Sequence, residues 1–470
     1  MFLVQKNNCG NKRKGKGEGL GKGGNEMNPF EMKAPKMEKV YAEMQSLYAK
    51  PYDKDTVDPY TKCRIILMNG TEFEVVKHSH AIQRMIGNND IRRALACVRR
   101  SEQQQQKRLS CLKPLNESVL EHTISYEQLA VDLTAWLAQH ETDRNLVKAL
   151  NFALLEDFDH LYRYANLLEM VSGIAAKSLV GGQTEIMPAR PTVAHHRHPV
   201  DSVKIPAKGK SASSVTKMHA SIITAAEQQT MNYYMNIAGF GNMSWIAREN
   251  RSDIPGNGIW STEATKAHYA DMARRLYQEI GMVEEDHVTR YGSLLDTEIG
   301  MLECNLMHEY TECYLYYSCM QTETDPRIKK IWEMHFNEEL AHLAEARRLL
   351  QTYEKKDFGE VLGDGTFPEV LVLKSNIDYV RKVLKGTVNL TDCKEDYCKV
   401  ETVGEDSDFV RYQRKVVRNK GRMASHEVIE GHIAAFGCDY RFETAPHPIR
   451  SLKDRKTDNV VLGTADGVKV

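Results

Sequence analysis

Two short motifs carry the chemistry this sequence offers. Over residues 262–296 an apolar helix stripe runs Leu276, Ile280, Glu284, His287, Tyr291, Leu294, in steps of three and four that share one face. Over 326–354 a second stripe runs Ile328, Trp332, His335, Glu339, His342, Ala346. Each stripe carries a Glu-x-x-His pair where apolar side chains belong. A buried charge is costly unless it is paired or coordinates a metal. The i, i+3 spacing aims a carboxylate oxygen and an imidazole nitrogen at one point, which is the requirement of a metal site.

Two further helices supply carboxylates alone. The stripe Ile223, Glu227, Met231, Tyr234, Ala238 lies on 214–238, and Leu302, Leu306, Glu309, Cys313, Tyr316 lies on 299–320 with Glu312 beside it. A pair of ions in a helix bundle takes one Glu from each of two helices and Glu-x-x-His from each of the other two. Carboxylates bridge and neutralise the ions, and one histidine caps each. A rival pair also exists. Glu127 stands on one helix and Glu156, Asp157 and His160 on the next, and Glu127 is as far from Asp157 and His160 as Glu309 is from Glu339 and His342. A bundle built from this hairpin and one of the others is an alternative to the first set of four helices. The same six helices in one larger bundle, with the first hairpin as a supporting layer, is another.

The elements that must position these residues follow from periodicity and caps. Three helical hairpins are predicted: 123–140 with 145–170, 214–238 with 262–296, and 299–320 with 326–354. Ser261 is a good N-cap, and Asp325-Pro326 starts the last helix with a cap and a proline at the first helical position. A long connection after residue 170 holds His195-His196-Arg197-His198 among prolines, where adjacent side chains point apart, so a loop-packing role is expected. Nearer the N-terminus, Ile65-Ile66-Leu67 and Phe73-Glu74-Val75-Val76 flank Asn69-Gly70 and read as a β-hairpin over 61–77. Residues 89–112 read as a polar helix with the run Gln103 to Gln106. Helices are expected near 375–384 and 424–436 in an otherwise mixed C-terminal region without recognisable chemistry.

The four metal motifs resemble the rubrerythrins of the ferritin-like, di-iron carboxylate superfamily. Ala226-Glu227-Gln228-Gln229 with Tyr233-Tyr234 is similar to their first metal-binding helix, Glu284-Glu285-Asp286-His287 to their second, Glu309-Tyr310-Thr311-Glu312 to their third, and Glu338-Glu339-Leu340-Ala341-His342 to their fourth. The resemblance spans residues 214–350. It implies a mainly α fold with a ferritin-like antiparallel bundle of up to six long helices, to which the sequence itself adds a small N-terminal β-hairpin and a mixed C-terminal extension. It implies Glu227, Glu284, His287, Glu309, Glu339 and His342 as ligands to two iron ions, Glu312 as an extra carboxylate near the second ion, and Tyr234 as a hydrogen-bond donor behind them. Manganese or zinc would suit the same donors. Glu127, Glu156, Asp157 and His160 remain the rival ligands. The implied activity is an oxidoreductase that reduces peroxide or dioxygen. A di-iron oxidase or oxygenase acting on a small organic substrate, and a non-enzymatic iron-binding or storage protein, are the alternatives. The family joins its second and third helices by a long crossover, whereas here few residues near 295–300 separate them. No rubredoxin-like module is encoded, so a separate electron donor protein is expected, as is a homo-oligomer.

Bulk properties narrow the field. The chain has 470 residues, with Lys+Arg 63 against Asp+Glu 64 and a net charge of -1, which gives no global case for nucleic acid. No apolar run reaches membrane-spanning length and no secretory leader is read, so a cytoplasmic location is expected. The 10 cysteines include no C-x-x-C pair; Cys304, Cys313 and Cys319 are expected as core thiols. The expected organisation is a disordered Gly/Lys-rich tail over 1–26, a hairpin-and-helix region over 27–112, the metal-binding bundle over 113–356, and the extension over 357–470.

Overall fold

Long helices begin where the sequence supplies caps. In this computed structural model, which describes residues 27–189, 198–206, 211–239, 263–387, 389–393, 396–418, 422–437 and 447–452, helix α1 spans Pro59–Met85. Asp58 caps it by accepting a hydrogen bond from the Tyr60 N–H at 2.8 Å, with Pro59 at the first helical position. Helix α2 is Asn89–Ser110, capped by Asn88. Helix α3, Val119–His140, opens on a reciprocal capping box between Ser118 and Glu121. Asp143 caps α4, Arg144–Ser172, which ends on Gly173 in the left-handed conformation. The short α5, Ala176–Leu179, lies in the long connection. Then come α6, Ser214–Gly239, α7, Glu263–Gly292, α8, Met301–Thr322, and α9, Pro326–Leu349, which is capped by Asp325. The three predicted hairpins are therefore α3–α4, α6–α7 and α8–α9.

The predicted β-hairpin over 61–77 is not formed, because those residues lie inside α1. The Asn69-Gly70 pair is not a turn. A Cβ on Gly70 would stand 3.0 Å from the Cβ of Gln229 on α6, so this glycine lets two helices approach closely. The helix is buried on far more than one narrow stripe: Ile65, Ile66, Leu67, Met68, Glu72, Val75, Ser79 and Ile82 are all inside. That breadth blurs its helical period and imitates two short strands.

Among the described residues, eight long helices form two four-helix bundles. In the first, the α3–α4 hairpin packs on the α6–α7 hairpin through α3 against α6 and α4 against α7. In the second, α1–α2 packs on α8–α9 through α1 against α8 and α2 against α9. The bundles meet along α1, which also touches α3 and α6, and along the contact of α6 with α8. The connection from α4 to α6 is the long link that joins the two hairpins of the first bundle. Trp136 and Trp332 are fully buried, one in each bundle.

After a π-helical turn over Leu350–Glu354, the chain forms α10, Gly359–Leu362, and α11, Ile377–Thr387. Strands β1, Leu390–Cys393, and β2, Asp396–Lys399, pair antiparallel with Leu390 opposite Lys399. Helix α12 is Asp408–Val416 and α13 is Ala424–Phe436. Helix α13 lies across α4 and α7. Glu279 of α7 accepts hydrogen bonds from the first N–H groups of α13, at 2.8 Å from Ala424 and 2.9 Å from Ser425. Part of the C-terminal extension thus covers the first bundle. Among the described residues no helix is long and apolar enough to cross a membrane. Cys313 and Cys319 are buried free thiols as expected, and the free thiol Cys304 is half-buried. The predicted tail, the loop before residue 261, the cap expected at Ser261, and His195, His196 and Arg197 lie outside the described residues.

Candidate metal centres

Each bundle encloses one cluster of acidic and imidazole side chains. The first draws Glu127 from α3, Glu156, Asp157 and His160 from α4, Glu227 from α6, and Glu284 and His287 from α7. None exposes more than 1% of its surface. Ligand atoms of Asp157, Glu227, Glu284 and His287 lie within 4.8 Å of one another, and so do those of Glu127, His160 and Glu284. Glu284 is common to both groups and stands where a bridging carboxylate would. His287 Nδ1 faces the first group, 3.0 Å from Glu284 Oε2, 3.5 Å from Asp157 Oδ1 and 3.7 Å from Glu227 Oε2. Its other ring nitrogen, Nε2, lies 2.8 Å from Glu156 Oε2. Glu156 therefore orients the imidazole from behind, as carboxylates do for metal-binding histidines. His160 Nδ1 lies 3.0 Å from Glu284 Oε1. Tyr234 donates to Glu127 Oε1 at 2.5 Å.

The second cluster draws Glu72 from α1, Glu102 and Gln105 from α2, Glu309 and Glu312 from α8, and Glu339 and His342 from α9. Ligand atoms of Glu102, Glu309 and His342 lie within 4.8 Å of one another, as do those of Glu309, Glu312 and Glu339. His342 Nδ1 is 3.1 Å from Glu339 Oε2, 3.9 Å from Glu309 Oε2 and 4.0 Å from Glu102 Oε1. Gln105 Nε2 donates to Glu339 Oε1 at 2.6 Å. Tyr316 donates to Glu72. Arg108 must donate to His335 Nε2, at 2.5 Å, so the proton of that imidazole sits on Nδ1, 3.0 Å from the Tyr316 oxygen. Every donor in this chain therefore points towards Glu72.

The sequence-derived ligand set is thus divided. Glu227, Glu284 and His287 stand in one bundle, and Glu309, Glu312, Glu339 and His342 in the other. The structure brings the rival residues Glu127, Asp157 and His160 into the first cluster and gives Glu156 a supporting position. Tyr234 stands behind Glu127. Sequence reasoning missed Glu72 and Glu102. Their signal was present: from 72 to 102, from 127 to 157 and from 309 to 339 the separation is the same, and each second residue is followed three positions later by Gln105, His160 or His342.

Electrostatics shows how poorly these clusters tolerate being left alone. Burial, followed by the repulsion of Glu284, pushes the Glu127 carboxyl well above its usual range. Burial and Glu227 do the same to Asp157, and burial raises Glu227 to about 7 against the pull of His287. For Glu284 burial is outweighed by His160 and His287, and the group falls to about 2. His287 is lifted well above its usual value because Glu227, Glu156 and Glu284 overcome burial. In the second cluster burial and like charges push Glu72, Glu102 and Glu312 well up, and burial takes Glu309 to about 8 despite His342.

The donor sets fit divalent cations. Both oxygens of Asp157, Glu102 and Glu312, one oxygen each of Glu127 and Glu72, and Nε2 of His160 are buried without a hydrogen-bond partner. Leaving such groups unsatisfied costs about 1–3 kcal/mol each, and more when they are charged. A pair of divalent ions would nearly balance the carboxylates of either cluster and would use these atoms. No family model, no curated protein and no solved structure matches this chain.

Proposed function

We propose that this chain is a ferritin-like protein with two di-metal centres, most suited to iron, and that it is an oxidoreductase reducing peroxide or dioxygen. The observation that carries the reading is the first cluster. Two buried groups of ligand atoms there, Asp157, Glu227, Glu284 and His287 on one side and Glu127, His160 and Glu284 on the other, share one carboxylate. This is the donor set of a bridged pair, with carboxylates from two helices and a carboxylate plus histidine from each of the other two. Iron bound there would supply the electrons that cleave an O–O bond, and manganese or zinc would compete for the same donors.

The chain's own residues bind, orient and exclude water. Glu284 links the two groups and is held ionised by His160 and His287. Glu156 fixes the His287 ring, and Tyr234 fixes Glu127. Tyr164, Tyr234 and Tyr277 pack as an aromatic layer with ring centres 5.0–5.5 Å apart, and all three are fully buried. That layer lies beside Glu127 and keeps bulk water from it. Reducing hydrogen peroxide to two water molecules consumes two electrons and two protons. The electrons come from a separate redox protein, since the sequence carries no rubredoxin-like module.

The test is anaerobic loading with ferrous iron followed by hydrogen peroxide, read by absorbance and by peroxide consumed. Repeated turnover with a chemical reductant supports the reading. Binding of iron with no turnover leaves iron binding or storage as the function. No tight binding of iron, manganese or zinc sinks it.

A further inference from the structure

The two centres differ at one ligand position. Gln105 occupies on α2 the place that His160 has on α4, three residues after the acidic residue. Its amide nitrogen is committed to Glu339, and an amide oxygen is a weaker ligand than an imidazole for an ion of this class. Helix α8 shows the opposite change. Around Glu227 on α6 stand Ala226 and Thr230, whereas around Glu309 on α8 stand His308 and Glu312 at the same offsets. The second bundle has lost an imidazole on one helix and gained an imidazole and a carboxylate on another.

The gained residues point to the right place. Ligand atoms of Glu102, His308 and Glu312 lie within 4.8 Å of one another. His308 Nε2 is 3.6 Å from Glu312 Oε1. His308 Nε2 and both Glu312 oxygens have no hydrogen-bond partner. Glu102 belongs to this group and also to the one with Glu309 and His342, so it stands between two positions as Glu284 does in the first centre. His308 and Thr311 also line a cavity of about 190 Å³ between the bundles, together with Glu74, His78, Cys304 and Ile222. The His78 ring stacks on that of His308 with centres 5.4 Å apart.

We propose that the second centre holds one of its two divalent ions through Glu102, Glu312 and His308, with His308, which also lines this cavity, replacing the imidazole missing at Gln105. The assignment rests on the reading of both bundles as di-metal centres. It makes the second centre the one that borders a cavity, through His308, while the first lies behind its tyrosine layer.

Metal content of the full chain decides it, with cobalt(II) as the probe and competition against a chelating dye as the readout. The wild-type chain binds four ions. His308→Ala binds three, or holds the fourth at least tenfold more weakly. His78→Ala still binds four. Gln105→His in the His308→Ala background restores the fourth ion. His308→Ala that keeps four ions at unchanged affinity overturns the assignment, and His308→Asn, which keeps a polar side chain of similar size, carries the same test should His308→Ala fail to fold. A wild-type chain that binds fewer than four ions overturns the two-centre reading itself.

Discussion

The two bundles share a frame and differ in what they hang on it. In each, a hairpin brings a glutamate and, at the same separation, an acidic residue followed three positions later by His160 or Gln105. In each, the facing hairpin brings a glutamate, a Glu-x-x-His pair and, seven positions after its first glutamate, a tyrosine that donates across the bundle, Tyr234 to Glu127 and Tyr316 to Glu72. Helix length and spacing set this geometry. A few side chains then separate the centres. Glu156 orients His287, whereas Ser101 stands at the matching place and His342 Nε2 has no partner. Ile280 fills the position from which His335 extends the hydrogen-bond chain behind Glu72. The lesson is that one pairing of helical hairpins can enclose two acidic clusters whose hydrogen-bond partners differ.

The largest expected effect breaks the pair apart. Asp157→Asn with Glu227→Gln removes two carboxylates from the first centre and is expected to weaken its metal binding by more than about 100-fold, since changes merely behind the ligands cost about 10–100-fold. The second centre should keep its ions. Glu309→Gln with Glu339→Gln should do the reverse. Elemental analysis after dialysis checks both, and loss of all ions in either double variant would mean that the bundles do not fold or load independently.

Acidity gives the next test. Glu227 sits at about 7 and Glu309 at about 8 in the folded chain, against 4.5 when free. Raised carboxyls bind more protons folded than unfolded, so their stabilising contribution is complete below about pH 4.5 and is lost as pH rises through 7 and 8. The melting temperature of the metal-free protein should therefore fall from about pH 5 to about pH 9. Metal displaces those protons, so affinity rises with pH and the loaded protein loses much of this dependence. Thermal melts with and without chelator measure it, and a metal-free protein that grows more stable over that range would contradict the account.

Smaller effects sharpen the comparison. Tyr234→Phe should lower metal affinity about tenfold at the first centre only, and Tyr316→Phe at the second only, each with about 1–2 kcal/mol lost in the metal-free chain. Isothermal titration of each variant separates them. Gly70→Ala crowds Gln229 and should cost about 1 kcal/mol by denaturant melting, an overpacking penalty partly offset by alanine's better helix propensity. Because it lies between the bundles, it should not favour one centre over the other.

Much of this arrangement was legible in the sequence. The cap at Asp325 and the stripes through Glu284 and Glu339 were correct helix signals, and helical periodicity located three hairpins. The first hairpin's spacing exposed Glu127, Asp157 and His160 as rivals. Helix α1 was not legible, because Asn69-Gly70 carries a strong turn signal and its real role depends on Gln229, which lies far along the chain. Glu102 was hidden in a glutamine-rich helix that reads as solvated. The pairing of hairpins was hidden for a different reason. Neighbours in sequence usually pack together, but α8–α9 closes on α1–α2 across the whole first bundle, and no local pattern records that. The ligand set implied by the family resemblance accordingly mixed residues of two clusters.

The most direct measurement is the number of ferrous ions bound per chain under anaerobic conditions, for the wild type and for the two double variants. The account predicts four, falling to two in either variant, with the two remaining ions assigned to opposite bundles. Two ions in the wild type, both abolished by Asp157→Asn with Glu227→Gln, would show that only the first cluster is a metal centre. No bound iron at all would contradict the central claim.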